Sequence, residues 1–253
     1  MPDITSFRVK IFADGADRAS ILELSENPWI KGFTTNPTLL RKAGVTDYEA
    51  FGRSLAETIP SRPFSFEVLS DDFDEMEQQA RRIASWGDNV YVKIPITDTR
   101  GRSSAALVRR LTLQGVKVNA TALMTLDQVD AVVPSLRNGP PSCISIFAGR
   151  IADAGYDPLP ILSGALQRIR AYPQIELIWA SPRELFNVVQ ADAIGCHIIT
   201  VTHDVLKKLP LLGRDLTEYS LDTVKMFVND ARAANFALET SPTGRETPAA
   251  VRP

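Results

Sequence analysis

Short runs rich in Val, Ile and Phe recur along the chain, each followed by a polar turn and then by a stretch with apolar positions every three or four residues. In order they are FRVKIFA (Phe7 to Ala13), KGFTTN (Lys31 to Asn36), FSFEVL (Phe64 to Leu69), NVYVKIPI (Asn89 to Ile96), VKVNATAL (Val116 to Leu123), CISIFAG (Cys143 to Gly149), IELIWAS (Ile175 to Ser181) and HIITVTH (His197 to His203). Segments between them, such as DDFDEMEQQARRIASWG and SSAALVRRLTLQG, carry Asp, Ser or Gly where caps belong and predict amphipathic helices. About eight strands alternating with helices imply parallel β/α units, and 253 residues match the span of one closed barrel. The expected fold is a single (β/α)8 TIM barrel over residues 1–238. The polar, Pro-rich segment ETSPTGRETPAAVRP, residues 239–253, lacks periodicity and predicts a disordered tail. No Gly-x-Gly-x-x-Gly follows the first strand, which weighs against a dinucleotide-binding fold.

Composition narrows the partners. Charged residues are 23% of the chain and apolar ones 44%, an ordinary globular balance, with a formal net charge of −2. The basic residues are scattered, so neither nucleic acid nor an anionic membrane is an expected partner. The opening MPDITSFRVKIFADGADRAS has no basic region followed by an apolar run, and nothing approaches the roughly 20 apolar residues that span a bilayer. A cytoplasmic protein with a small-molecule partner is expected. Cys143 and Cys196 lie in apolar runs and read as reduced core residues, as Trp86 and Trp179 read as core. With only His197 and His203 besides, no metal site is expected.

The chemistry is suggested by polar residues where a barrel strand should be apolar. Branched apolar side chains fill a barrel interior, so a charged or hydroxylated residue near a strand's C-terminal end is poorly explained by packing. Asp14, Thr34, Thr35, Asn36, Glu67, Lys93, Asn119, Thr121, Ser145, Arg150, Ser181 and Arg183 all occupy such positions. Burial of Lys93 within VYVKIPI disfavours its ammonium and so favours the free amine that attacks a ketone. The alternative is a structural ion pair with Glu67 or Asp14. Those two carboxylates suit two proton-transfer roles, although Asp14 could instead cap a helix. Arg150 and Arg183 follow the sixth and seventh strands, where barrels often hold phosphate, and with Ser181 could bind an anion. His203 ends the last strand with no Ser or Cys nucleophile at a recognisable spacing, and His197 lies toward the opposite rim.

TTNPTLL, YVKIPIT, VNATALMT, FAGRIAD and WASPREL, with Asp14 ahead of them, resemble the transaldolase family in the same order along nearly the whole barrel. The resemblance implies a Schiff base between Lys93 and a ketose, with no cofactor. It implies Asp14 as base for the hydroxyl proton, and Glu67 holding a catalytic water with the help of Thr121. Asn36, Asn119 and Ser145 would bind the dihydroxyacetone fragment, and Arg150, Ser181 and Arg183 the phosphate. The fructose 6-phosphate aldolase branch typically has Gln and Tyr where this chain has Glu67 and Phe147, so the resemblance leans to the transaldolase branch. It implies a transferase of pentose phosphate metabolism that moves a three-carbon unit from fructose 6-phosphate or sedoheptulose 7-phosphate to an aldehyde phosphate. The competing readings are an aldolase that releases dihydroxyacetone, an enzyme for an unusual, for example sulfonated, sugar, and a barrel that binds without catalysing. A homo-oligomer is expected on general grounds.

Overall fold

The computed structural model describes residues 4–238. Eight strands, β1 (Lys10–Asp14), β2 (Ile30–Thr34), β3 (Phe64–Glu67), β4 (Val90–Pro95), β5 (Val118–Leu123), β6 (Ser142–Ile146), β7 (Ile175–Trp179) and β8 (Ile198–Thr202), pair in parallel with their sequence neighbours, and β8 closes on β1. The helices on the return paths are α1 (Arg18–Ser25), α2 (Pro37–Lys42), α3 (Tyr48–Thr58), α4 (Phe73–Ala84), α5 (Ala105–Leu113), α6 (Leu126–Leu136), α7 (Ala148–Asp153), α8 (Leu159–Ile169), α9 (Phe186–Ala193) and α10 (His203–Leu206). This is the single (β/α)8 TIM barrel that the alternating pattern predicts. Two compact units divide the chain, the first ending at Leu212 and the second beginning at Gly213 and carrying α11 (Leu216–Ala233). The expected tail, residues 239–253, lies outside the described residues.

Strand ends depart from the apolar runs where local chemistry intervenes. Phe7 to Val9 precede β1, and the backbone N–H groups of Arg8 and Val9 donate to the Asp192 carboxylate instead of to a strand. The run CISIFAG leaves the sheet after Ile146, and Phe147 stands at the N-cap of α7, so Arg150 is helical. Helix starts follow the caps. Asp72 accepts from Asp74 and Glu75 at the head of α4, whereas the Ser104 hydroxyl at the head of α5 turns away to donate to the Pro95 carbonyl.

Two separate apolar groups result from strand alternation. Outward side chains such as Ile11, Phe33, Phe66, Val92 and Ile144 pack under the helices. Phe12, Cys143, Ile178, Ala180 and Ile198 form a second cluster, with Tyr91 and Phe147 against it, that plugs the barrel axis. Two positions further along four of these strands stand Asp14, Lys93, Ser145 and Thr200. The plug is thus a floor, and the next inward layer is polar.

The floor closes only because β2 carries no side chain at Gly32, the register partner of Phe12. A Cβ there would lie 2.6 Å from the Phe12 ring. Gly32→Ala is expected to lower stability by about 1–3 kcal/mol through overpacking, and Phe12→Leu in the same chain should recover part of the loss. Urea unfolding checks both, and a neutral single variant would show that the floor yields freely.

Candidate active site

Lys93 lies in the middle of β4, in register with Glu67 on β3 and Asn119 on β5. The residue is 5% exposed, yet its ammonium is well partnered. Nζ donates to the Thr35 carbonyl at 2.7 Å and lies 2.9 Å from a Glu67 carboxylate oxygen. It faces a cavity of about 470 Å³ at the C-terminal mouth of the barrel, shared with Asp14, Thr34, Asn36, Glu67, Thr121 and Ser145 and, on its far side, Phe147, Arg150, Ser181 and Arg183. Lys93 therefore points inward with Asp14 and Glu67.

The local fold explains why Glu67 can meet Lys93. β2 pairs with β3 only at Phe33 with Phe64 and at Thr34 with Ser65, because the chain beyond turns into α2. Asn36 caps that helix, its side-chain oxygen accepting from Leu39 N–H at 3.0 Å. Glu67 would lose its ladder partner on this side. Tyr48 of α3 takes the strand's place: its hydroxyl accepts from Glu67 N–H at 2.8 Å and donates to the Glu67 carbonyl at 2.9 Å. Tyr48 is held edge-on to Trp86, with ring centroids 5.4 Å apart, and burial raises its phenol well above the usual range. Trp86 in turn lies over Gly52, where a Cβ would come within 2.3 Å of the indole.

Asp14 is held by a chain of hydroxyls. The Thr34 hydroxyl donates to its carboxylate at 2.7 Å, and Thr200 lies 2.5 Å from the Thr34 oxygen. Burial raises the Asp14 carboxyl above the ordinary aspartate range, while the nearby Lys93 charge and the Thr34 hydrogen bond oppose that rise. On the other side Ser145 donates to the Asn119 side-chain oxygen at 2.7 Å, and Asn119 donates to Ser65 at 3.1 Å. The Thr121 hydroxyl is buried, lines the cavity and has no hydrogen-bond partner among the described residues.

The far side of the cavity carries the positive charge. Arg183 is held by Asp153 through Nε at 2.9 Å and through Nη2, while Nη1 donates to Ser181 at 3.0 Å. Arg150 has no carboxylate within 4.0 Å among the described residues and lies with its guanidinium carbon 5.8 Å from the Phe147 ring centre. Ser181 has φ 59° and Ala122 φ 64°, the left-handed region that side chains disfavour. Gly149 makes the Ser181 backbone placement possible, since a Cβ on it would lie 1.6 Å from the Ser181 carbonyl oxygen.

Two expected residues sit differently from the rest. Thr35 reaches the site through its carbonyl on Lys93, and its own buried hydroxyl has no partner among the described residues. Asn119, with no exposed surface, lies beneath the cavity and acts on it through Ser145. His203 opens α10 and borders a neighbouring hollow with Asp17 and Lys42, while His197 accepts from Leu177 N–H near the opposite rim. Thr200 and Thr202 also line the cavity. Sequence reasoning passed over them, although their period-two spacing with Ile198 on β8 signalled the inward face.

The family model described as transaldolase/fructose-6-phosphate aldolase matches residues 11–241. The chain belongs to the transaldolase/fructose-6-phosphate aldolase family. Relatives named "probable transaldolase" include one from Dehalococcoides mccartyi, 31% identical over 85% of this chain and 97% of that one, and one from Methanococcus maripaludis, 32% identical over the same shares. A third, from Streptococcus pyogenes, is 33% identical over 88% of this chain and 97% of the relative. Among solved structures, a 2,3-dimethylmalate lyase superposes with a TM-score of 0.53 at 10% identity, covering 97% of this chain and 89% of that one. The 4-hydroxy-tetrahydrodipicolinate synthase of Methylacidiphilum fumariolicum gives 0.52 at 14% identity, with 79% and 70% covered. These two show the barrel fold alone. In this member of the transaldolase/fructose-6-phosphate aldolase family the cavity around Lys93 is the candidate site. No helix among the described residues is long and apolar enough to cross a membrane.

Two outcomes follow from the geometry. An aspartate whose folded-state proton affinity is raised destabilises the fold while ionised, and that cost disappears as pH falls through the raised value toward the unfolded one. Asp14→Asn should therefore melt at a higher temperature than the wild type at neutral pH, with the gap closing in acid; a lower melting temperature at neutral pH would contradict the burial argument. Tyr48→Phe removes the partner of two backbone groups at Glu67 and should cost about 1–3 kcal/mol in urea unfolding.

Proposed function

We propose that the protein is a transaldolase that moves a dihydroxyacetone unit from a ketose phosphate, such as fructose 6-phosphate or sedoheptulose 7-phosphate, to an aldehyde phosphate through a Schiff base on Lys93. The observation that carries this reading is the buried Lys93 ammonium, paired with Glu67 and aimed into the same cavity as Asp14. To attack a ketone Lys93 must give up a proton, and the Glu67 carboxylate, 2.9 Å from Nζ, is the group placed to take it. The amine adds to the ketone at C2, and Glu67 returns the proton to the departing oxygen, which leaves as water.

Asp14 then takes the proton of the C4 hydroxyl. The oxygen's electron pair becomes the carbonyl of the leaving aldehyde phosphate, the C3–C4 bond breaks, and its electrons pass to the iminium nitrogen. The nitrogen is the electron sink, so this reading calls on no cofactor. The resulting enamine attacks the carbonyl carbon of a second aldehyde, Asp14 gives back its proton, and water held between Glu67 and Thr121 hydrolyses the new iminium. Ser145, with Asn119 behind it, and Asn36 face the three-carbon fragment, while Arg150, Arg183 and Ser181 suit the terminal phosphate. Phe147 brings no hydroxyl to protonate the enamine, which favours transfer over release.

The test is borohydride trapping with fructose 6-phosphate, followed by intact mass and peptide mapping, on wild type and Lys93→Ala. A three-carbon adduct confined to Lys93 is expected, with turnover that requires an acceptor aldehyde. Release of dihydroxyacetone at the same rate without acceptor would favour the aldolase reading. No adduct with any ketose phosphate, but one with a sulfonated ketose, would move the anion site to sulfonate. No adduct with either would overturn the proposal.

A further inference from the structure

The Thr34 hydroxyl lies between two oxygens, Asp14 Oδ1 at 2.7 Å and Thr200 Oγ1 at 2.5 Å, and has one proton for both. When Asp14 is a carboxylate that proton must go to it, because a carboxylate only accepts. The hydrogen bond to Thr200 then survives only if Thr200 is the donor. Thr200 is buried on β8, and no other acceptor for its proton stands among the described residues. Both threonines are β-branched and stiff about their first side-chain torsion, so the two hydroxyls are fixed in place with little rotamer freedom left to lose.

We propose that Thr200 is a positioning residue for the cleavage step: it sets the direction of the Thr34 hydroxyl and through it holds Asp14 as the proton acceptor. The inference rests on the reading that gives Asp14 that proton. In the carboxylate state the chain runs from Thr200 to Thr34 to Asp14. Once Asp14 has taken the C4 hydroxyl proton on its other oxygen, Oδ1 still accepts from Thr34 and Thr34 from Thr200, so the proton stays aimed at the substrate. No heavy atom needs to move. One arrangement therefore serves the carboxylate that accepts a proton and the acid that returns it to the new hydroxyl after the second aldehyde is attacked.

Chains of hydroxyls polarise one another, so Thr34 with a donor behind it binds the carboxylate more strongly than Thr34 alone. The other charges facing Asp14 come from Lys93 and Glu67, with Arg150 and Arg183 across the cavity and Asp17, Lys42, His203 and Asp204 around the adjoining hollow. None of these changes when Thr200 loses its hydroxyl.

The experiment measures kcat, KM and their pH dependence with a ketose phosphate donor and an aldehyde phosphate acceptor, together with the borohydride adduct on Lys93, for wild type, Thr200→Val and Thr200→Ser. Val keeps the shape without the hydroxyl, and Ser keeps the hydroxyl. Thr200→Val should lower kcat about 10- to 100-fold with KM nearly unchanged, since a displaced catalytic group costs on that scale. Its acid limb should move to higher pH, because a less stabilised carboxylate is protonated sooner, while the adduct, which precedes the Asp14 step, persists. Thr200→Ser should restore both kcat and the limb. Should the Val variant not fold, Thr200→Ala carries the same expectations. Wild-type kcat and acid limb in a hydroxyl-free variant, or equal losses in Ser and Val, would overturn the inference and leave the Schiff-base reading standing. A wild type with neither turnover nor adduct would sink that reading and this inference with it.

Discussion

An ammonium buried inside a barrel must be paired, and the upper rim of this protein is arranged around the pairing of Lys93. Removing such a charge from water costs several kcal/mol unless hydrogen bonds and an opposite charge offset it. Thr35 and Glu67 supply both, at 2.7 and 2.9 Å. Each requires a departure from regular sheet. The Thr35 carbonyl is free for Lys93 because β2 ends at Thr34 and the chain passes into α2 under the Asn36 cap. Glu67 keeps its backbone bonded past that point only because Tyr48 stands in for the departed strand. Tyr48 is placed by Trp86, and Trp86 by the bare face of Gly52. A chain of packing constraints thus runs from a glycine on an outer helix to the carboxylate beside the Lys93 ammonium.

Rigid apolar packing and buried polarity occupy successive layers of the same strands. Phe12, Tyr91, Cys143 and Ile198 form the plug; Asp14, Lys93, Ser145 and Thr200 follow two residues later. The plug keeps water from reaching the polar layer from below, which strengthens every electrostatic interaction above it. Backbone strain gathers at the rim of the cavity, where Ala122 and Ser181 adopt left-handed conformations on two different strand ends. Ser181 can do so because Gly149 leaves room for its carbonyl, so FAGR and WASPR depend on each other although about thirty residues separate them in the chain.

The barrel was legible because its signal is repeated: eight apolar runs alternate with helical segments, and no single misread strand end changes the answer. The inward set was legible for a related reason. A lysine or glutamate between apolar neighbours has few structural explanations, and Lys93, Glu67 and Asp14 all meet in one cavity. Threonine carries no such signal. It is a favoured strand residue, so Thr200 and Thr202 in ITVT read as ordinary β structure, and only the closure of β8 on β1 sets them beside Asp14. Tyr48 was illegible for another reason: its contact with Glu67 depends on where β2 stops, which is decided by the α2 cap and not by the apolar pattern. Thr35 shows the limit of reasoning from side chains, since the atom that matters there is a carbonyl oxygen.

The distant barrels sharpen what the family assignment rests on. A lyase at 10% identity and a synthase at 14% share the architecture with this chain at TM-scores of 0.53 and 0.52, so eight parallel strands and their helices are compatible with quite different sequences. A fold that tolerates so much replacement cannot itself select a reaction. The relatives at 31–33% identity, in contrast, match over nearly their whole length. Within this chain the polar layer is where substitution is least free, because its members are mutually committed: Lys93 to Glu67 and Thr35, Asp14 to Thr34 and Thr200, Ser145 to Asn119 and Ser65. Changing one partner leaves another buried and unsatisfied at a cost of about 1–3 kcal/mol. That cost ties stability to the geometry of the site, so the fold and the arrangement of the inward polar layer depend on each other.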